Sequence, residues 1–357
     1  MKSNYDILGN HIRLIDTRNR ESITDRVLGI NIDKFFMPSV ANVIGTDLSK
    51  YKLITKGKFA CNPMHVGRDE RLPVALYDEE KPAIVSPAYF MFEVIDNSIL
   101  NEDYLMMWFR RPEFDRICWL HTDGSVRGGI TWDDICRLEL PIPPIENQLE
   151  IVNSYKEITE RIALKQKIND NLDDTAQTLY QKYFGSNSDK SSWKQGTVGD
   201  VLQLQRGHDL PRTEMTGGKY PVAGSTGTIG YHDEFTAEAP VIVMGRSGNI
   251  GNPRLYLCNC WTHNTSLYVK QIYEAEPLWV FYLLKNLNYD GFVGGSAVPT
   301  LNRNDVHAYG IAIPPLELQK SFSQKVMSLI YCKEENLSEI EKLQELQKII
   351  LTTMSSR

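Results

Sequence analysis

The chain has 357 residues, of which 42% are hydrophobic, 24% charged and 10% aromatic, the makeup of a folded globular protein rather than a disordered or fibrous one. That length exceeds what one hydrophobic core ordinarily serves, so two or three domains are expected. Lys plus Arg total 39 against 45 Asp plus Glu, a net charge of −6, which excludes the overall basic excess that lets a protein hold nucleic acid unaided.

Residues 1–144 read as a mixed, strand-rich domain. Tyr51–Ile54, Phe59–Cys61 and Ala88–Val94 have the short β-branched and aromatic runs of strands, and Asn101–Phe109 reads as a helix. Lys50, Lys52, Lys56 and Lys58, then Arg68 and Arg71, then Arg110, Arg111 and Arg116 make three stretches that are either basic patches or solvated faces. The domain closes on Ser125–Gln148, SVRGGITWDDICRLELPIPPIENQ. A glycine-free segment follows, Ile145–Phe184, with apolar residues at intervals of three and four from Leu149 and Val152 to Leu179 and Tyr183, which predicts one long helix. The prolines ahead of it suit a helix start, Glu146 faces the positive end of the dipole, and Gly185 ends it.

Residues 185–315 repeat the plan. Val241–Met244 and Ser266–Val269 are predicted strands and Leu278–Leu287 a helix. Gly224–Gly230 (GSTGTIG) and Gly245–Gly251 (GRSGNIG) share one form, either ligand-facing turns or plain hairpins. Ser296–Gln319, SAVPTLNRNDVHAYGIAIPPLELQ, aligns without gaps to Ser125–Gln148: Asp134 matches Asp305, Pro143-Pro144 matches Pro314-Pro315, Glu146 matches Glu317 and Gln148 matches Gln319. A second amphipathic segment, Leu316–Met354, follows. The chain is therefore a duplicated unit. Each helix of about 60 Å needs a cover, either its own domain or the other helix as a coiled coil, and the duplication favours the pair.

Several chemistries find no support. Neither glycine segment is Gly-x-Gly-x-x-Gly, and Gly218-Lys219 lacks the rest of a phosphate-binding loop. Asn62-Pro63-Met64-His65 lacks the second proline and the aromatic of an adenine-methyltransferase element. Cys258, Cys260 and His263 give three zinc ligands where a structural site wants four, so these cysteines are expected to be buried and metal-free. Glu79-Glu80-Lys81 reads as a solvated turn. No apolar run approaches the roughly 18–20 residues of a membrane span, Met1–Arg20 is polar, and the six cysteines follow no disulfide framework, so a cytoplasmic protein is expected.

The arrangement resembles the DNA-specificity subunit of type I restriction-modification enzymes over essentially the whole chain. The resemblance rests on two units ending LPIPPIENQ and IAIPPLELQ, each followed by a long helix, with FACNPMHVG in the first and GSTGTIG and VIVMGRSGNIG in the second. It implies an α+β fold: two homologous mixed α/β target-recognition domains, 1–144 and 185–315, separated by two long helices, 145–184 and 316–357, that form an antiparallel coiled coil. Each domain would read one half of a split target in double-stranded DNA. The helices would dock two methyltransferase subunits, with restriction or motor subunits completing the enzyme. The chain itself would be non-catalytic and bind no cofactor or metal; S-adenosylmethionine, ATP and Mg belong to the partners. Partner subunits would also supply much of the grip on DNA that an acidic chain lacks. A stiff helical pair would set the spacing of the half-sites, about 34 Å per helical turn of DNA.

Polar loop residues are the candidate DNA contacts, because Arg matches the acceptors of guanine and Asn those of adenine. In the first domain they are Asn62, His65, Arg68, Arg71, Ser125 and Arg127, with a turn-forming role as the other reading of Asn62. In the second they are Arg246, Ser247 and Asn249, then Arg206, His208, Arg212, Lys219, Asn264 and Arg303. The competing account is a protein-assembly scaffold that reads no DNA.

Overall fold

The computed structural model describes residues 5–64, 66–122, 128–186, 188–289, 293–294 and 300–354. The chain divides into two compact units, Met1–Lys165 with Glu339–Arg357, and Gln166–Ser338. Both long helices form where the periodicity places them, Ile145–Phe184 and Leu316–Thr353, and each unit holds part of both.

In the first unit, Tyr5–Ile7 pairs antiparallel with Glu139–Pro141. An antiparallel sheet follows in the order Ile12–Leu14, Phe90–Val94, Lys58–Cys61, Val74–Tyr77. A second sheet has the order Phe36–Pro38, Val27–Ile30, Ala83–Val85, Lys52–Ile54. The helix Glu102–Phe109 starts on Asn101, whose side-chain oxygen accepts from Tyr104 N at 3.0 Å, and every residue from Tyr104 to Phe109 is buried. Phe59, Phe92, Phe109 and Phe114 interlock at the centre of this core, with Phe59 and Phe92 stacked at 5.0 Å.

The second unit follows the same scheme. Lys194–Thr197 pairs with Gly310–Ile313, and the main antiparallel sheet runs Leu202–Arg206, Ser266–Ile272, Val241–Gly245, Gly251–Tyr256. A smaller sheet, Gly227–His232, Tyr220–Gly224, Trp261–Thr262, is interleaved with it in the chain, and Pro277–Lys285 is the counterpart helix. All five predicted strands and both short helices of the sequence reading form, with ends shifted by a few residues.

The duplication extends to details that the sequence does not announce. A one-turn 3-10 helix follows the entering strand in both units, Leu8–Asn10 and Val198–Asp200. Leu8 N donates to Leu138 O at 2.7 Å, and Val198 N to Tyr309 O at 2.9 Å. The short helices Trp132–Cys136 and Arg303–His307 press on the glycine of that turn: a Cβ on Gly9 would lie 2.9 Å from Cys136 Cβ, and one on Gly199 3.2 Å from His307 O.

Each long helix is fixed to its core by the glutamine of the repeated motif. Gln148 is fully buried; its amide donates to Ile99 O (2.8 Å) and Pro143 O (2.7 Å), and its oxygen accepts from Asn101 N (2.9 Å). Gln319, 1% exposed, donates to Pro314 O at 2.9 Å and accepts from Glu276 N at 2.9 Å. Asn101 and Glu276 are the N-caps of the two equivalent short helices. A glutamine amide carries the donor and the acceptor that these bonds need in one side chain.

Within each unit the two helices pair antiparallel. In the first, Tyr155 and Ile350 join one core, Thr159 accepts from Gln347 at 2.6 Å, and Ile162 packs with Ile340 and Leu343. Glu339 there holds both Arg161 and Lys165, the latter at 2.7 Å. In the second, buried Asn336 donates to buried Asn169 at 3.0 Å, Lys333 pairs with Asp173 at 2.5 Å, and Tyr180 packs on Phe322. Residue numbers rise along one helix as they fall along the other, and a buried polar pair in an apolar seam fixes register.

Replacing Gln148 or Gln319 by Ala removes these bonds and leaves buried backbone groups unpaired, an expected loss of about 2–4 kcal/mol for the affected unit. Urea unfolding followed by tryptophan fluorescence should show that unit's midpoint falling; an unchanged midpoint would contradict the bracket.

Candidate nucleic-acid interface

Both glycine segments of the second unit are hairpin turns, Gly224–Gly230 between paired strands Tyr220–Gly224 and Gly227–His232, and Gly245–Gly251 between Val241–Gly245 and Gly251–Tyr256. They meet on Thr265. Its carbonyl accepts from Arg246 N at 3.0 Å, and its hydroxyl accepts from Ser225 N at 3.3 Å. Asn249 ties the turns together, its amide donating to Ser225 O (3.2 Å) while its oxygen accepts from Asn252 (2.8 Å). Gly245 permits this closeness, since a Cβ there would overlap the Asn249 carbonyl.

On this platform the chain brings three distant arginines together. Arg206 from the end of a strand, Arg246 from the second turn and Arg303 from the start of a short helix line one groove of about 500 Å³, beside Thr300 and Asn302. Arg246 is half-buried, its carbonyl accepts from Leu301 N at 2.8 Å, and its guanidinium donates to Asn264 O at 3.5 Å. Ser247 forms a bridge with Thr300. Arg206 pairs with Asp209 at 3.0 Å, and Asp209 also accepts from the Asn264 amide. The Asn264 hydrogen bond, then the charge of Arg206, hold that carboxyl below the usual range, so it stays ionised between the cations. Arg212 and Asn264 line an adjoining groove with Asp209 and Ser225.

Two of the second-unit candidates stand differently. His208 has its ring against Trp261 and Tyr268 and its Nδ1 3.3 Å from Thr262 Oγ1, a packing role. Lys219 lines a different groove, with Arg254, Tyr231 and Lys285, and its ammonium sits over the Tyr220 ring.

In the first unit, Asn62 takes the turn-forming role: its side-chain oxygen accepts from Met64 N at 3.2 Å. Arg71 pairs with Asp33 at 2.9 Å and shares a groove with Arg110 and Arg116. His65, Ser125, Arg127 and the Arg68 side chain lie outside the described residues. The lysine stretch is not a basic patch. Lys52 is buried and donates to Tyr89 O at 2.6 Å, while Lys56 and Lys58 pair with Glu80 and Glu93. Arg111 is buried as well.

Of the thiols considered for zinc, Cys260 is buried but Cys258 is exposed, correcting the expectation for that residue. His263 bonds Thr265 Oγ1 at 2.9 Å and Leu210 O at 3.2 Å. Among the described residues no group of three or more His, Cys, Asp or Glu could hold a metal, and no helix is long and apolar enough to cross a membrane. Sequence reasoning missed Asp209, Thr265 and His307, because the contacts that bring them to the site, to Asn264, Ser225 and Leu204, are distant in the chain or set by the fold.

Residues 190–349 match the family model of the type I restriction modification DNA specificity domain. The chain is 22% identical over 397 aligned positions to a Methanocaldococcus jannaschii protein provisionally named type I restriction enzyme MjaX specificity subunit, covering 98% of this chain and 88% of that one. The crystal structure of a type I restriction-modification S subunit from M. genitalium superposes with a TM-score of 0.62 at 16% identity, covering 100% of this chain and 97% of the other. A chain from a structural study of complex assembly and conformational transition in the type I R-M system gives 0.51 at 16% identity, covering 98% and 96%. These two likenesses show the fold. The two units share one α+β plan, and in the second unit three arginines converge in one groove. Residues 190–349 thus match the type I restriction modification DNA specificity domain, in agreement with the family that the sequence motifs resemble.

His307 ends the short helix that begins with Arg303, and its Nε2 accepts from Leu204 N at 2.8 Å, in the strand that ends with Arg206. Only the neutral ring can accept this bond, and burial, then Arg303, lower its pKa from 6.5. A folded value below the unfolded one means protonation favours unfolding: the contribution is full above about 6.5 and is lost as pH falls below it. His307→Gln keeps an acceptor without the titration. Its thermal midpoint should therefore rise relative to the parent chain as pH is lowered from 7.5 to 5.5, and a constant difference would contradict this role.

Proposed function

We propose that this chain supplies the sequence reading of a type I restriction-modification complex, residues 1–144 and 185–315 each taking one half of a bipartite site in double-stranded DNA. The observation that carries the reading is the groove in which Arg206, Arg246 and Arg303 converge from three separate stretches of an acidic chain. Clustered guanidinium groups in a groove suit phosphate and base-edge acceptors. Arg246, Ser247, Arg206, Arg303, Arg212 and Asn264 are the DNA-facing group of the second domain, and Arg71, Ser125 and Arg127 that of the first. Catalysis belongs to partners: two methyltransferase subunits on the long helices, using S-adenosylmethionine, and restriction or motor subunits using ATP and Mg. The chain's part is to set where they act.

Replacing Arg206, Arg246 and Arg303 together by Ala should leave assembly with the methyltransferase intact by size-exclusion chromatography. Methylation of the target should fall by about ten-fold or more. Intact assembly with unaltered site-specific methylation would favour a scaffold that reads no DNA.

A further inference from the structure

The three arginines of the second-unit groove are not held alike. Arg206 is the last residue of its strand, its side chain 50% exposed and paired with exposed Asp209. Arg303 is exposed at the first position of a five-residue helix. Arg246 is fixed on both sides of its backbone, by Thr265 O at 3.0 Å and Leu301 N at 2.8 Å, and its guanidinium is steadied by Asn264 O. The turn beneath it is held by Asn249, and Gly248 (φ +78°) and Gly251 (φ +72°) permit its left-handed backbone.

Base readout and phosphate contact make different demands. A bidentate fork onto a base edge must be placed within fractions of an ångström, whereas a phosphate can be met by a mobile cation. An arginine whose backbone and one guanidinium nitrogen are already held loses little freedom on binding. The acceptor pair in the major groove that matches its remaining N–H groups is O6 and N7 of guanine. We infer that Arg246 reads a guanine in the half-site of the second domain, while Arg206 and Arg303 contact the phosphates beside it. Asp209, ionised next to Arg206, would repel a phosphate that approached out of register.

The inference rests on the DNA-reading function proposed above, and the test separates the two. The full chain, assembled with its methyltransferase, is titrated by fluorescence anisotropy against duplexes carrying the motif mapped from host methylation. The set includes every single-base variant of the second half-site and a duplex with that half-site scrambled. Arg246→Ala and Arg246→Lys should each lose about ten-fold or more on the cognate duplex and lose discrimination at one G·C pair. Replacing that guanine by 7-deazaguanine, which lacks the N7 acceptor, should weaken the parent complex but not the Arg246→Ala complex. Arg206→Ala and Arg303→Ala should weaken all duplexes alike and lower the salt slope by about one each. Equal weakening of all duplexes by Arg246→Ala, or relaxation at a position that is not G·C, overturns the assignment and leaves DNA reading in place. If the parent complex binds the scrambled duplex as tightly as the cognate, DNA reading itself fails.

Discussion

A buried amide at the start of each long helix, Gln148 in one unit and Gln319 in the other, bonds at once to the proline carbonyl before the helix and to the N-cap backbone of a short helix in the globular core. Apolar packing adds to this anchor, with Val152 in one core and Tyr180, Phe184 and Phe322 in the other. The Pro-Pro pair limits the backbone entering the helix, the entering strand pairs with the strand just ahead of it, and the glutamine closes the corner. Everything built on each unit, including the placement of its loops relative to its share of the helical pair, depends on that corner. Duplication has preserved it twice, although the sheets attached to it differ in strand number and order.

Charge is handled locally rather than globally. The net charge of −6 argues against unaided DNA binding, and much of the positive charge is spent inside the fold: Lys34 on Asp115, Lys58 on Glu93, Lys165 on Glu339. Lys34 is the extreme case, nearly fully buried at φ +67° and donating to Phe109 O at 2.8 Å, with burial lowering its pKa against the pull of Asp115. In the second unit, Arg206, Arg246 and Arg303 gather in one groove. Selectivity gains from this arrangement, because a weak general attraction leaves the directional contacts to decide where the complex stops.

The repeat, the long helices and the main strands were legible in the sequence, because periodicity, proline and glycine act locally. The pairing of the helices followed once the repeat was seen, since two amphipathic faces of like length need cover. The site was only half legible. Arg246 and Arg303 could be named as polar loop residues, but their convergence with Arg206 depends on strand order that no local pattern encodes. Lys52 shows the opposite failure: it looks like part of a basic stretch, yet its position in a sheet turns its ammonium onto Tyr89 O. Asn249 and Asn62, chosen for their match to adenine, also make side-chain bonds that build turns.

The central claim is that this chain sets where its partners act, and the most direct test is a map of methylated adenines in host DNA with and without its gene, the methyltransferase held constant. The account predicts that one gapped, two-part motif disappears without the gene. Exchanging residues 185–315 for those of a related chain should then change one half of the motif and spare the other. A methylation map that is unchanged by the loss of the gene would contradict it.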